Sequence, residues 1–378
     1  MFHVKHRTAL TVSTLIVAAL LASGCTGTTS PATGWMPPVA GPNGILLVQS
    51  APGRITTAKS DGSRIAEYEI RGAATTNFLG RTSQGAATPI YATPLVDGTA
   101  AYVVSYAGRV VRLNLDNGAL SEKWIADLHE NVVATPVLRG DRLYVSAENG
   151  QLSTINTTTG KILGATHPTA GRVWGAPALQ DGRIFIGTLD SSEVIAVNAD
   201  SGATEWRRGG VGAAAADLVV DGNTLVVPSF DRTIHALDSA GGTEKWRFTG
   251  DGWFVGKPLV TQQGIYAGTL RGSVYALDRS GKLRWVFARA GLEFRAAPIL
   301  VGDTLVMADR SGVFIGLNAN TGAEKWTQTA EHATIDANGV LLDSGLFFTT
   351  TTYSLIRLDP VTGESKTFNV QPPKGDGK

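Results

Sequence analysis

The chain has 378 residues, 43% of them hydrophobic and 17% charged, with 33 Lys and Arg against 32 Asp and Glu and a formal net charge of +1. That balance excludes the basic surface that nucleic acid or an anionic membrane requires. A single Cys, Cys25, excludes an intramolecular disulfide and the Cys-rich zinc and iron–sulfur motifs. The 45 glycines follow no collagen period and point to many tight turns between short strands.

Residues 1–24 place Lys5 and Arg7 ahead of an uncharged apolar run from Ala9 to Ala22 that ends in small residues. The run is short for a membrane span, which needs about 20 apolar residues, and has the layout of a secretory signal. The stretch Leu21-Ala22-Ser23-Gly24-Cys25 resembles the box at which bacterial lipoproteins are acylated and cleaved. The resemblance implies that Cys25 is the lipidated first residue of the mature protein, held on a membrane by its acyl chains. Residues 25–34 then read as the lipidated Cys and a flexible tether of small polar residues. Thr26, rather than Asp, follows the Cys, as in lipoproteins sent to the outer membrane of two-membraned bacteria. The expected location is the periplasmic side of that membrane, or the cell surface in a one-membrane organism.

From residue 35 to 370 the chain repeats one unit eight times. An apolar strand, an Asn or Asp, a Gly and a Trp recur in copies ending at Trp124, Trp206, Trp246, Trp285 and Trp326. Three degenerate copies end near Tyr68, Gly164 and Phe368. Aligned on the Asn or Asp, the copies fall at Asn114, Asn156, Asn198, Asp238, Asp278, Asn318 and Asp359, with Lys59 in the first; the spacings are 55, then 42, 42, 40, 40, 40 and 41. A second pair of strands precedes each motif, as in PVLRGDRLYVSAENG and PILVGDTLVMADRSG. Alternating apolar residues and Gly/Asp turns thus predict four short antiparallel strands per repeat, and four strands in about 40 residues make one propeller blade. The fold class is all-β, an eight-bladed β-propeller, with each Asn or Asp turning the third strand into the fourth and the five tryptophans packed between blades. The first copy departs, with Lys59, Tyr68 and an insertion within residues 71–90. Residues 35–50 are expected to pair near the last strands at 353–370 and close the ring, and residues 371–378 to form a disordered tail.

The recurring pattern, as in GSVYALDRSGKLRW and GVFIGLNANTGAEKW, resembles the pyrroloquinoline-quinone-type (PQQ-like) repeat, and it covers nearly the whole mature chain. Eight such repeats behind a lipoprotein box are similar to the BamB-like family, the lipoprotein subunit of the outer-membrane β-barrel assembly machinery. The resemblance implies a non-catalytic, lipid-anchored protein-interaction scaffold, monomeric within a complex. Its implied partners are the β-barrel assembly subunit and unfolded client strands that pair with exposed strand edges; nucleic acid is not among them. No motif carries the family's contact loops onto particular residues. Two alternatives stay open: a PQQ-dependent, quinoprotein dehydrogenase-like enzyme, and a surface lipoprotein binding carbohydrate or another small ligand.

Quinoproteins of the repeat's namesake family commonly set two adjacent cysteines over the quinone and bind calcium through Glu, Asn and Asp. This chain has one Cys, and its Asn and Asp residues recur at a turn position, where a structural role accounts for them. Neither PQQ nor calcium, no other metal and no catalytic residue is therefore expected. His235 aligns with Ile195, Tyr275 and Ile315 of other copies and reads as a packing residue, while His129, His167 and His332 fall on loops without ligand spacing. Aligning the residues ahead of each first strand on Pro94, Pro136, Pro177, Pro258 and Pro298 brings Tyr91, Val133, Trp174, Val255 and Arg295 to one register, flanked by Trp253, Phe254, Glu293 and Phe294. In a propeller these residues sit at one mouth of the ring. Tyr91, Trp174, Trp253, Phe254, Glu293, Phe294 and Arg295 are the candidate binding residues there, because Trp, Tyr and Arg dominate interface hot spots; the alternative is that they plug the channel or pack between blades.

Overall fold

The computed structural model describes residues 34–372, apart from 73–74, 77–80, 84 and 344. The signal segment, Cys25 with the tether to residue 33, and the tail beyond residue 372 lie outside the described residues. Gly34, assigned above to the tether, is instead buried with φ +64, where a Cβ would stand 2.6 Å from the Ile90 carbonyl oxygen. Gln371, assigned to the tail, accepts from Arg64 and donates to Asn369 and Thr352.

Among the described residues there are eight four-stranded antiparallel sheets, each with its strands in chain order, and one two-stranded sheet. Blades 1 to 8 span residues 39–69, 95–127, 137–166, 178–209, 219–249, 259–288, 299–329 and 340–369. The architecture is the eight-bladed β-propeller the repeat predicts. The small sheet, Thr75–Thr76 with Thr82–Ser83, lies in the insertion between blades 1 and 2.

Blade 5 shows how the sequence produces the layers. Its second strand, Thr224–Pro228, and third, Thr233–Asp238, are almost wholly buried, while the fourth, Glu244–Thr249, alternates half-buried with exposed positions. A middle strand has a neighbouring blade on each face, so both of its side-chain sets are apolar or small; the outer strand keeps one polar face. The core therefore lies between blades: Val194 and Ala196 of blade 4 pack with Leu225, Val227 and Leu237 of blade 5. Each such aliphatic side chain contributes about 1.5–3 kcal/mol on burial.

The turn from third to fourth strand is made as the sequence predicts in six copies. The Asn156, Asn198, Asp238, Asp278, Asn318 and Asp359 side-chain oxygens accept N–H groups two to four residues ahead, as in Asn318 from Asn320 at 3.0 Å and Thr321 at 3.1 Å. Asn114 departs from this pattern: it lies within the strand Arg109–Asp116, and the turn falls later, at Asn117 (φ +50) and Gly118 (φ +90).

These turns dock on the tryptophans. A ladder irregularity precedes each Trp. Each indole donates its Nε1–H to a turn carbonyl of the following blade: Trp124 to Thr157 (2.9 Å), Trp206 to Ser239 (3.2 Å), Trp246 to Arg279 (3.2 Å), Trp285 to Ala319 (3.0 Å) and Trp326 to Pro360 (3.2 Å). The turn glycine lies against the ring; on Gly281 (φ +82) a Cβ would stand 2.4 Å from Trp246, so only glycine fits. Tyr68 does not take this role in blade 1, where Ile65 lies against Gly118, and Tyr68 pairs with Ile55 and donates its hydroxyl to Glu122.

Ring closure also differs from the expected strand pairing. Val39–Ala40 pairs within blade 1, with Leu46 and Leu47, and blade 8 is complete from Val340 to Asn369. Blades 1 and 8 meet through side chains instead: Leu46 and Val48 pack with Phe347, Leu355 and Val370, and Thr349 donates its hydroxyl to the Met36 carbonyl at 2.9 Å.

Candidate interaction surface at one mouth of the ring

Because the strands of each blade alternate in direction, the segment entering the first strand and the turn between the second and third strands share one face of the ring. They are laced together by backbone hydrogen bonds. In blade 3 the Glu148 N–H donates to Asn131 of its own entering segment, and the Glu148 carbonyl accepts from Val173 of the segment entering blade 4. The same pair recurs at Tyr106 (to Pro89, from Val132) and Arg310 (to Glu293, from Ile335). This girdle makes the mouth a rigid platform.

Along each entering segment burial alternates. Counting back from the residue aligned with Pro94, positions −2 and −4 face the core and −3 and −5 are partly exposed. Tyr91, Trp174 and Arg295 occupy −3, and Trp253 and Glu293 occupy −5, so these five reach the mouth. Phe254 and Phe294 occupy −4 and are 0% exposed, among the core residues of their blade junctions, which removes both from the surface. The −3 register also contains Trp35 of blade 1 and Asp336 of blade 8, and the second residue of each turn adds Tyr106, Glu148, Phe230 and Arg310. Trp35 was legible, since it precedes Pro38 by three; the turn residues carried no sequence signal, because only the fold brings them beside the entering segments.

Two side-chain groups result. An aromatic arc runs from blade 1 to blade 4: Trp35 lies on Tyr91 with ring centroids 4.3 Å apart, and Tyr91 meets Tyr106 edge-on at 5.5 Å. The Glu148 carboxylate then accepts from Tyr106 (3.3 Å) and from the Trp174 indole (3.0 Å), and Arg172 lies 5.7 Å over the Trp174 ring. Burial pushes the Tyr91 and Tyr106 hydroxyls up, with the Glu148 charge adding to the effect at Tyr106, so both stay protonated donors. Trp253 stacks on Phe230 at 5.3 Å. The opposite arc is charged: Arg295 pairs with Glu293 (3.3 Å) and Asp336 (3.6 Å), and Arg310 with Asp336 (2.9 Å). Amphipathic rings pinned by hydrogen bonds beside fixed charges suit protein contact, because little side-chain entropy remains to be lost.

His235 is in a packing position, 2% exposed, yet its ring bridges two carboxylates, Asp231 at 3.3 Å and Glu244 at 3.1 Å. Burial opposes the imidazolium, but hydrogen bonds and charge from Asp231 and Glu244 outweigh it and raise the imidazole pKa. Burial likewise works against the Asp231 carboxylate, whose pKa is nonetheless lowered by the His235 partnership. As for a calcium site, six of the seven repeat Asn and Asp side-chain oxygens are taken by their own turns, and among the described residues no group of three or more His, Cys, Asp or Glu is placed to hold a metal. Those turn oxygens do not make a calcium donor set.

The fold is that of a PQQ-like β-propeller, and its mouth carries an aromatic arc and a charged arc. A family model described as outer membrane protein assembly factor BamB matches residues 25–161, 121–216, 190–339 and 271–366, and the chain belongs to that family. The outer membrane protein assembly factor BamB of Xanthomonas campestris pv. campestris is 26% identical over 261 residues, 63% of this chain and 61% of that protein. Tetrathionate hydrolase of Acidithiobacillus ferrooxidans is 32% identical over 151 residues, 40% of this chain and 27% of that protein. The chain thus spans less than two thirds of the length of these relatives. Among solved structures, BamB from Moraxella catarrhalis superposes with a TM-score of 0.65 at 17% identity, covering 84% of this chain and 94% of that one. A europium-containing methanol dehydrogenase gives 0.63 at 13%, covering 79% and 80%. At these identities the likeness is one of fold.

Proposed function

We propose that the protein is a lipid-anchored extracytoplasmic scaffold, without catalysis of its own, that assists assembly of outer-membrane β-barrel proteins. Membership of the BamB family carries this reading. The mouth supports it: Tyr91, Trp174, Trp253, Glu293 and Arg295, joined by Trp35 and Glu148, form a preorganised face on which the central assembly subunit docks. Acylation at Cys25 holds the propeller at the membrane, and the outer-membrane part of the reading requires a two-membraned organism; in a one-membrane source the same anchor makes a surface lipoprotein. The test is in-cell crosslinking from Trp174 and Trp253 positions carrying a photoreactive side chain, followed by identification of the product. Adducts with the barrel-assembly subunit are expected, and their absence from both positions overturns the docking face.

The relation to tetrathionate hydrolase favours a second reading, an enzyme of that kind. Tetrathionate consumption by the purified lipoprotein, above a denatured control, would establish it in place of the scaffold.

A further inference from the structure

Blade 5 differs from its sisters at one buried position. His235, aligned with Ile195, Tyr275 and Ile315, holds a carboxylate on each ring nitrogen: Glu244 Oε2 lies 3.1 Å from Nδ1 and Asp231 Oδ2 3.3 Å from Nε2. Glu244 opens the outermost strand, and Asp231 sits in the turn between Pro228 and Thr233 at the mouth. The ring thus ties a turn of the mouth to the outer strand of the blade. Charge reaches it from three elements. In the outermost strand Arg247 stands opposite His235 and pairs with Glu244 at 3.5 Å. In the turn Asp231 is followed by Arg232. On blade 4, Arg208 takes the position, two residues past Trp206, from which Phe248, two past Trp246, meets Tyr275 of the next blade. The second strand presents the uncharged Val227, and Gly212 of the entering segment lies against Asp231.

The turn that Asp231 braces carries part of the mouth. Asp231 Oδ1 accepts the Thr233 N–H at 2.8 Å, and the Asp231 N–H donates to the Ser229 hydroxyl at 3.2 Å. The Ser229 and Arg232 carbonyls accept the Phe254 and Gly250 N–H groups, at 3.3 and 2.8 Å, from the segment entering blade 6. Phe230 of the turn and Trp253 of that segment stack with their planes 1° apart. Arg232 has φ +71, where the sister turns place Gly272 and Gly312, so this turn keeps a strained residue only while its side-chain ties hold. An imidazolium donates from both nitrogens, a neutral ring from one. When the proton leaves, one carboxylate meets a lone pair; Glu244 keeps Arg247, so Asp231 is the one released. Burial opposes the charged ring, but hydrogen bonds and charge from Asp231 and Glu244 outweigh it. The bridge is therefore intact below the ordinary value of 6.5 and is lost as pH rises through the raised, folded value.

We propose that the Asp231–His235–Glu244 bridge is a pH-sensitive lock on one sector of the mouth. With the ring charged it holds the turn at residues 229–233 and the Phe230–Trp253 stack in place; with the ring neutral the turn is released and the stack loosens. The sister turn of blade 6, with Tyr275 in place of the imidazole, has no such lock. The bearing of the lock on partner docking rests on the reading of the mouth given above. The lock itself does not, and either can fail while the other stands.

The test is amide hydrogen exchange of the full-length lipoprotein between pH 6 and pH 9, each amide corrected for its intrinsic rate. The Gly250 and Phe254 amides report on the blade 5 turn; Arg289 and Phe294, which donate to Gly272 and Thr269 of the blade 6 turn, are the internal control. Protection of Gly250 and Phe254 is expected to fall roughly tenfold relative to the control pair as pH rises. In His235→Gln the two pairs keep a constant ratio. If that variant does not fold, Glu244→Gln decides: with one carboxylate gone, the midpoint of the fall moves down by roughly one pH unit. Fluorine NMR of the protein carrying fluorotryptophan reads the stack itself. The Trp253 resonance, assigned by its loss in Trp253→Phe, should move with the same midpoint and stand still in His235→Gln. A constant ratio in the wild type, a fall that persists in His235→Gln, an unmoved midpoint in Glu244→Gln, or a Trp253 resonance that does not titrate would overturn the proposal.

Discussion

Phe368, in the outermost strand of blade 8, covers Gly62 in the turn of blade 1, where a Cβ would stand 2.4 Å from the ring and φ is +84. The last junction of the ring is therefore made like those within it, although its two residues are 306 positions apart. Removing either side of the contact loosens the closure. Gly62→Val combines positive-φ strain with a clash and is expected to cost about 2–4 kcal/mol, and Phe368→Ala about 2–3 kcal/mol. Gly140→Ala, at φ +58 with nothing within 4 Å, carries only the backbone strain of about 1 kcal/mol. Urea unfolding of the three variants checks the order.

The tryptophan hydrogen bonds are not equivalent. Ala319 accepts from both Trp285 (3.0 Å) and Tyr266 (3.1 Å), whereas Ser239 receives an indole N–H from Trp206 at 3.2 Å. Trp206→Phe should cost about 1 kcal/mol, the net worth of one bond, and Trp285→Phe measurably less, because its acceptor keeps Tyr266. Equal losses in parallel denaturant titrations would contradict this.

The bridge from Asp231 through His235 to Glu244 makes stability depend on pH. His235 has its pKa raised on folding, so its contribution is complete below the unfolded value near 6.5 and is lost as pH rises through the folded value. Asp231 has its pKa lowered, so its contribution is present above the unfolded value and is lost as acid titrates it. Between pH 6 and pH 9 the melting midpoint of the wild type is expected to fall relative to that of His235→Gln. Parallel curves would show that the imidazole is not charged in the fold.

What the sequence revealed follows from which signals are local. The blade count and six of the turns were legible because an Asx turn is made by residues within a few positions of one another, as at Asn318. Asn114 misled because it shares the register while its hairpin turns later. Phe254 and Phe294 were placed at the mouth because the alignment found the right segment and missed its alternation. The apolar Val132, Val173 and Ile335 at the same −4 position carried that information. Tyr106, Glu148 and Phe230 could not be found this way, since hydrogen bonds between segments 17 residues apart bring them to the mouth. Ring closure by Phe368 on Gly62 was hidden for the same reason: contact order, not composition, determines it.

At the mouth, Trp174 and Trp253 are partly exposed, so truncating them should change stability by less than about 1 kcal/mol. The measurement that bears most directly on the scaffold reading is affinity purification of the full-length lipoprotein from its own membranes, beside a Trp174→Ala, Trp253→Ala, Arg295→Glu variant with the same melting midpoint. The account predicts that the wild type brings down the β-barrel assembly subunit and that the variant recovers at least tenfold less. Equal recovery by the two proteins, or no assembly subunit with the wild type, would contradict it.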